Sequence, residues 1–178
     1  MNKTLIVIDA QEDFTRGALR NEDAIKALPV IQSIVKYSES NFDHAIYYTK
    51  DTHYIETYRK SQEGKNLPIA HCIKGTKGWQ ICPEVWSDDA GCAIEKNTFG
   101  CVSWKSIGID GIKPEEIWIC GFCTDICVIS NVLILKALFP EIPIVVFENA
   151  CAGVTPEKHA AALEVMRSCQ INIERWDE

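Results

Sequence analysis

The residues able to do chemistry cluster where apolar runs stop. Asp9 closes the run Thr4–Ile8, and Asp13 and Phe14 follow it. Asp51 and His53 come after Ala45–Thr49, and Lys96 comes after Cys92–Ile94. Gly121-Phe122-Cys123-Thr124-Asp125-Ile126-Cys127 comes after Glu116–Cys120. If the runs are strands of an open α/β sheet, all of these lie beyond the C-terminal strand ends, where such sheets bind ligands. An acid, a cation, a pair of metal-ligand types and a thiol would then share one rim, and together they argue more strongly than any one alone.

Cys127 stands three residues after Thr124, which suits the N-cap of a helix running to about Leu138. In a first helical turn the macrodipole and the free N–H groups favour a thiolate, and the same N–H groups can bind an oxyanion. The alternative is a buried thiol that packs the helix on the sheet. Asp9 suits a general base, because burial at a strand end raises a carboxyl pKa; otherwise it caps a turn. Lys96 could hold thiolate and acid together by charge, or be a solvated surface lysine. Asp51 and His53 form an i, i+2 pair, and His71 is the next histidine. One carboxylate with two imidazoles suits zinc or iron and leaves positions open for water or substrate. Glu56 and Glu63 could add an oxygen ligand, whereas His44 and His159 look unconnected. Cys120 and Cys123 have Cys-x2-Cys spacing, but without a second such pair this is a weak zinc signal; a redox pair is the other reading.

The elements that must position these residues follow from periodicity. Thr4–Ile8, Ala45–Thr49, Cys92–Ile94, Glu116–Cys120, Ile142–Phe147 and Asn172–Glu174 read as strands, several apolar on both faces as in a covered parallel sheet. Between them, Val30, Ile31, Ile34 and Val35 recur at helical spacing, with Pro29 at a first helical position. Thr155-Pro156-Glu157 starts a last helix with Ala162, Leu163 and Met166 on one face. Strand–helix alternation predicts α/β architecture: a three-layer α-β-α sandwich around a mostly parallel, doubly wound open sheet, one domain over residues 1–178. The stretch from Asp51 to Gly91 reads as a long functional loop. A net charge of −7 argues against nucleic acid as partner, and no stretch is long enough to span a bilayer. The apolar run at Met1–Asp9 is too short for an export signal, so a cytoplasmic protein is expected, and its nine cysteines, an odd number, do not suggest a disulfide framework.

These blocks together resemble the cysteine-hydrolase, or isochorismatase-like, superfamily, and within it the nicotinamidase/pyrazinamidase branch. The resemblance runs from Val7–Phe14 through Thr49–His53, His71–Gly78, Glu95-Lys96, Gly121–Val128 and Asn149–Val154 to Ala161–Met166. It implies an Asp–Lys–Cys triad at Asp9, Lys96 and Cys127, and a metal held by Asp51, His53 and His71, with Glu63 as the added carboxylate. It also implies a cis peptide at Phe122–Cys123, an oxyanion hole from the N–H groups of Cys123 and Cys127, and Phe14 as one pocket wall. Leu67-Pro68-Ile69-Ala70 stands where many nicotinamidases carry an aromatic residue and two prolines, so the sequence assigns no second aromatic wall. The expected cofactor is a divalent metal, zinc first, with iron or manganese as alternatives. The expected substrate is a small amide, nicotinamide first, then another amide or N-carbamoyl compound; a non-catalytic metal or thiol-redox protein is the third reading. Relatives imply a homo-oligomer.

Overall fold

Side chains alternate across a strand, and along Lys3–Ile8 both alternations are apolar. Leu5 and Val7 join one buried cluster while Ile6 and Ile8 join another, so this strand is covered on both faces. The computed structural model describes residues 1–43, 46–88, 90–106 and 113–177. Its strands are β1 (Lys3–Ile8), β2 (Ile46–Asp51), β3 (Ala90–Lys96), β4 (Glu116–Phe122), β5 (Ile144–Ala152) and β6 (Asn172–Glu174). They form one parallel sheet in the order β3-β2-β1-β4-β5-β6. The order reverses between β1 and β4, and the crevice beyond such a reversal is where an open sheet binds ligands.

Helices fill both faces. On one lies α2 (Glu22–Asn41), after the single turn α1 (Glu12–Thr15); it buries Ala24, Ala27, Leu28, Ile31, Ile34 and Val35 at helical spacing. On the other lie α5 (Ile129–Leu138) and α6 (Pro156–Ser168), which bury Val132, Leu135, Ala162, Leu163 and Met166 against Ile6, Ile8, Ile119 and Val146. Each large aliphatic side chain so buried contributes about 1.5–3 kcal/mol. Between β2 and β3 the short α3 (Ile55–Tyr58) and α4 (Gln62–Asn66) precede a strap that bridges back at Gln11–Ile81 and His53–Ile73.

Several boundaries differ from the sequence reading. The first long helix begins seven residues before Pro29, where the Asn21 side chain accepts from the N–H groups of Asp23 and Ala24, and Pro29 lies inside it. Proline removes a helical N–H, and here its ring is exposed, so water can reach the carbonyl left over. The strands run further toward the rim than expected, so Asp51 and Lys96 are the last residues of β2 and β3. The stretch from 51 to 91 carries α3, α4 and a 3-10 turn at Pro83–Val85. His44 and Ala45 lie outside the described residues. Among those described, no helix is long and apolar enough to cross a membrane.

Candidate active site and metal centre

Three neighbouring strand ends bring the first charges together. Asp9 follows β1 with φ at +45°, and its N–H donates to Thr49 Oγ1 at 3.1 Å while that hydroxyl donates to Asp9 Oδ1 at 2.6 Å. Lys96 at the end of β3 reaches across β2, placing Nζ 2.6 Å from Asp9 Oδ2, 3.5 Å from Cys127 Sγ and 3.9 Å from Asp51 Oδ1. Gln11 fastens the rim: its Oε1 accepts from the Asp51 N–H at 2.8 Å and its Nε2 donates to the Asp51 carbonyl at 2.9 Å.

Cys127 comes from β4 through an unusual turn. Gly121 has φ +121°, and a Cβ there would lie 2.0 Å from the Ile8 carbonyl oxygen, so only glycine lets β4 pass β1 this closely. The Phe122–Cys123 peptide is cis, as the resemblance implied. Thr124–Val128 then forms a π-helical turn in which Val128 N–H donates to the Cys123 carbonyl at 3.0 Å, and α5 continues from it. Such turns recur at functional sites. Two expectations change here. Cys123, not Thr124, caps the turn, because the Thr124 hydroxyl pairs with His159 Nδ1 at 2.8 Å, which also ties in a histidine that looked unconnected. Phe122 is a core side chain, fully buried under the α2 face, so only its peptide bond reaches the site.

The electrostatics favour a resting thiol over the thiolate expected from the helix position. Burial, then the nearby Asp9 charge, pushes the Cys127 thiol well above its ordinary value, and Lys96 only partly offsets this. Burial also raises Asp9, with Lys96 opposing. Lys96 is itself held above its ordinary value, because Asp9, Cys127 and Asp51 outweigh the burial that would lower it. Asp9 is thus a carboxylate of raised basicity beside a protonated sulfur, both held against the Lys96 ammonium, the arrangement a general base requires. Cys123 also faces the site, and burial raises its thiol to about 12. The eight cysteines with described side chains are all free thiols.

A few ångströms away, Asp51, His53, Glu63 and His71 form the one group of metal-ligand type found among the described residues, with one donor atom of each within 4.8 Å of all the others. His53 Nε2 lies 2.9 Å from Asp51 Oδ2 and 3.6 Å from Glu63 Oε1, and His71 Nε2 lies 3.4 Å from both carboxylates. A tetrahedron with bonds of about 2.1 Å has edges of about 3.4 Å, so this donor set fits a zinc-sized dication. Nitrogen and oxygen donors also suit iron or manganese. The Ile69 carbonyl and the Tyr58 hydroxyl lie 2.9 and 3.2 Å from His71 Nδ1 and orient the ring with Nε2 toward the group. Burial tends to raise Asp51, but hydrogen bonds to both histidines and the Lys96 charge hold it below the usual carboxylate range. Against burial, hydrogen bonds to Asp51 and Glu63 push His71 up to about 10, the mark of a cluster rich in negative charge. Glu56 is exposed on α3 and stands outside the group.

A cavity of about 460 Å³ joins the two centres, lined by Cys127, Cys123, Asp51, Glu63 and His71 on its polar side. Phe14, Leu19, Leu67, Ile126 and Phe99 form its apolar wall, and Arg20 stands at its edge. Phe99 is the second aromatic that sequence reasoning left unassigned. A second, more polar cavity of about 440 Å³ shares only Glu63 and Phe99 with the first and opens onto His53. Sequence reasoning also passed over Gln11, Thr49, Tyr58 and Asn131. Only Asn131 left a signal, as a lone amide four residues after Cys127 in an apolar helix.

Residues 3–178 match the model of the Isochorismatase domain family. No curated protein matches the sequence. Among solved structures, nicotinamidase PncA from Bacillus subtilis is similar at 24% identity and a TM-score of 0.83, over 98% of this chain and 100% of that one. Pyrazinamidase of Pyrococcus horikoshii in complex with zinc is similar at 24% identity and a TM-score of 0.81, over 99% and 100%. N-carbamoylsarcosine amidase from Thermoplasma acidophilum is similar at 23% identity and a TM-score of 0.79, over 100% and 98%. At these identities the likeness is one of fold.

Proposed function

The chain belongs to the Isochorismatase domain family, and on that premise we propose that it is a metal-dependent amidohydrolase that converts nicotinamide to nicotinate and ammonia through a Cys127 thioester. One observation carries the reading: a buried thiol paired with a basic carboxylate and an ammonium opens into the same cavity as Asp51, Glu63 and His71 of the four-ligand metal group. Asp9 takes the Cys127 proton as sulfur bonds to the amide carbon. Backbone N–H groups of Cys123 and Cys127 hold the developing oxyanion, each worth about 2.7–4 kcal/mol in the transition state. The C–N bond breaks, and Asp9 passes its proton to the departing ammonia. Asp9 then takes a proton from water, the hydroxide attacks the thioester, and the carbon–sulfur bond breaks as the proton returns to sulfur. Lys96 stays charged throughout and balances whichever of Asp9 and Cys127 is ionised. Phe14, Leu67 and Phe99 give a flat ring its apolar walls. A dication held by Asp51, His53, Glu63 and His71 would supply a Lewis-acid contact for the pyridine nitrogen or for a water beside it.

Arg20, which lines the cavity and pairs with Glu22 through Nε and Nη2, favours a second reading, because its guanidinium also suits a substrate carrying a carboxylate, such as an N-carbamoyl amino acid. Ammonia release decides between them. The purified protein, with and without added zinc, is expected to release ammonia from nicotinamide, and Cys127→Ala and chelation are each expected to abolish it. Retained turnover in Cys127→Ala would sink the thioester. Release from N-carbamoyl amino acids but not from nicotinamide would move the assignment to the second reading.

A further inference from the structure

Asn131 lies one helical turn after Cys127 and is fully buried on α5. Its neighbours Ile129, Val132, Leu133, Ile134 and Leu135 are apolar, so a polar amide here needs a reason. The amide makes four hydrogen bonds. Nδ2 donates to the Cys127 carbonyl at 2.7 Å and to the Phe99 carbonyl at 3.2 Å. Oδ1 accepts from the Cys101 N–H at 2.8 Å and from Trp104 Nε1 at 3.2 Å. An asparagine amide offers two donors and two acceptor sites, so its capacity is full. Two carbonyls must accept and two N–H groups must donate, which fixes the amide orientation. The same side chain therefore grips the carbonyl of the reactive cysteine and the segment three to eight residues beyond Lys96. Gly100 lets that segment lie flat on the helix, since a Cβ there would be 2.4 Å from Ile134 Cδ1 and 3.3 Å from Ser130 Cβ. Phe99, held by this grip, walls both cavities.

We propose that Asn131 is a positioning residue that fixes the Cys127 turn and sets how closely the Phe99 wall approaches it. The proposal rests on the amidohydrolase reading for its kinetic readout but not for its chemical one. Cys101 and Trp104 pack into the cluster beneath α5, and among the described residues the Asn131 amide makes the hydrogen bonds that fasten the Phe99 carbonyl and the Cys101 N–H to that helix. Loss of the amide leaves the Cys127 carbonyl without this partner and lets the Phe99 wall drift from the sulfur, and a misplacement near 1 Å costs up to about 100-fold in rate.

The test compares the full chain with Asn131→Ala and Asn131→Ser. A serine hydroxyl can bond the carbonyl four residues back, here that of Cys127, but cannot reach the Phe99–Trp104 segment as well. In Asn131→Ala, alkylation of Cys127 by iodoacetamide, followed on its own peptide by mass spectrometry, is expected to slow about 10-fold, and KM for nicotinamide to rise by a similar factor. In Asn131→Ser, alkylation and kcat are expected to recover to about a third of the parent values while KM stays raised, a split that lost stability alone would not produce. If both variants fold and keep parental alkylation and KM, the proposal is overturned. If neither accumulates as folded protein, Trp104→Phe removes one of the four bonds and keeps a ring; a two- to threefold rise in KM is expected, and no change in either KM or alkylation would overturn the proposal. Because alkylation needs no amide substrate, inactivity of the parent on nicotinamide defeats the substrate assignment and leaves this test standing.

Discussion

At the scale of single residues, the proposed reaction needs a proton held on sulfur and a base close enough to take it. Asp9 sits above its ordinary value near 3.8 because burial outweighs the Lys96 charge. Its carboxylate must be free of a proton to act, so activity is lost as pH falls through that raised value, and the acid limb of kcat/KM lies above the ordinary carboxylate range. Lys96→Met removes the charge that lowers Asp9. The limb should then move to higher pH, with kcat/KM down about 100- to 1,000-fold at neutral pH. A pH profile of ammonia release checks this, and an acid limb that stays in place in Lys96→Met would show that Lys96 does not tune Asp9.

At the scale of elements, the close passage of β4 beside β1 decides where Cys127 can be. Among the described residues two glycines have positive φ, and their surroundings separate two costs. Gly75 has φ +84° and nothing within 4 Å of where a methyl group would stand, so Gly75→Ala should cost only about 1 kcal/mol, through its backbone conformation. Gly121 adds a clash with the Ile8 backbone, and neither strand can yield without breaking ladder bonds. Gly121→Ala should therefore cost about 3 kcal/mol or more, a fall in Tm of about 6–12 °C, with activity lost in whatever protein still folds. Thermal unfolding of the two variants side by side tests this. Equal, small losses would mean that the strand pair can relax and that the glycine is not what sets the turn.

At the scale of the whole molecule, the metal group ties β2 to α4 and to the segment before the strap, parts separated by up to 20 residues from Asp51 to His71. A dication that binds only the assembled group stabilises the fold by mass action, about 2.7 kcal/mol at 100 times its dissociation constant. Zinc should raise Tm by about 5–10 °C, and His71→Ala should remove most of that shift. Binding must displace the proton that the carboxylates hold on His71, whose pKa is about 10, so the zinc shift should shrink as pH falls. Equal shifts in the parent and His71→Ala would place the metal elsewhere.

The sequence by itself determined the sheet and the chemical types at its rim. Doubly apolar runs such as Leu5–Ile8 and Ile117–Cys120 can be buried only between two layers, and that local pattern is readable without coordinates. The acid, the lysine, the thiol and the Asp51–His53 pair were legible because each follows such a run, whereas His71 and Glu63 were legible by residue type and through the family resemblance. Tertiary structure decided what those types do together. Protonation of Cys127 depends on desolvation and on charges from Asp9 and Lys96, which no spacing along the chain encodes. Thr124 met His159 from 35 residues away, so its hydroxyl left the cap that local pattern assigned to it. Phe99 lies on the cavity wall with its carbonyl held by Asn131 from another element. Periodicity reports which residues leave water; hydrogen-bond partners and field strength are set across space, between strands and loops that only the folded chain brings within about 3 Å of one another.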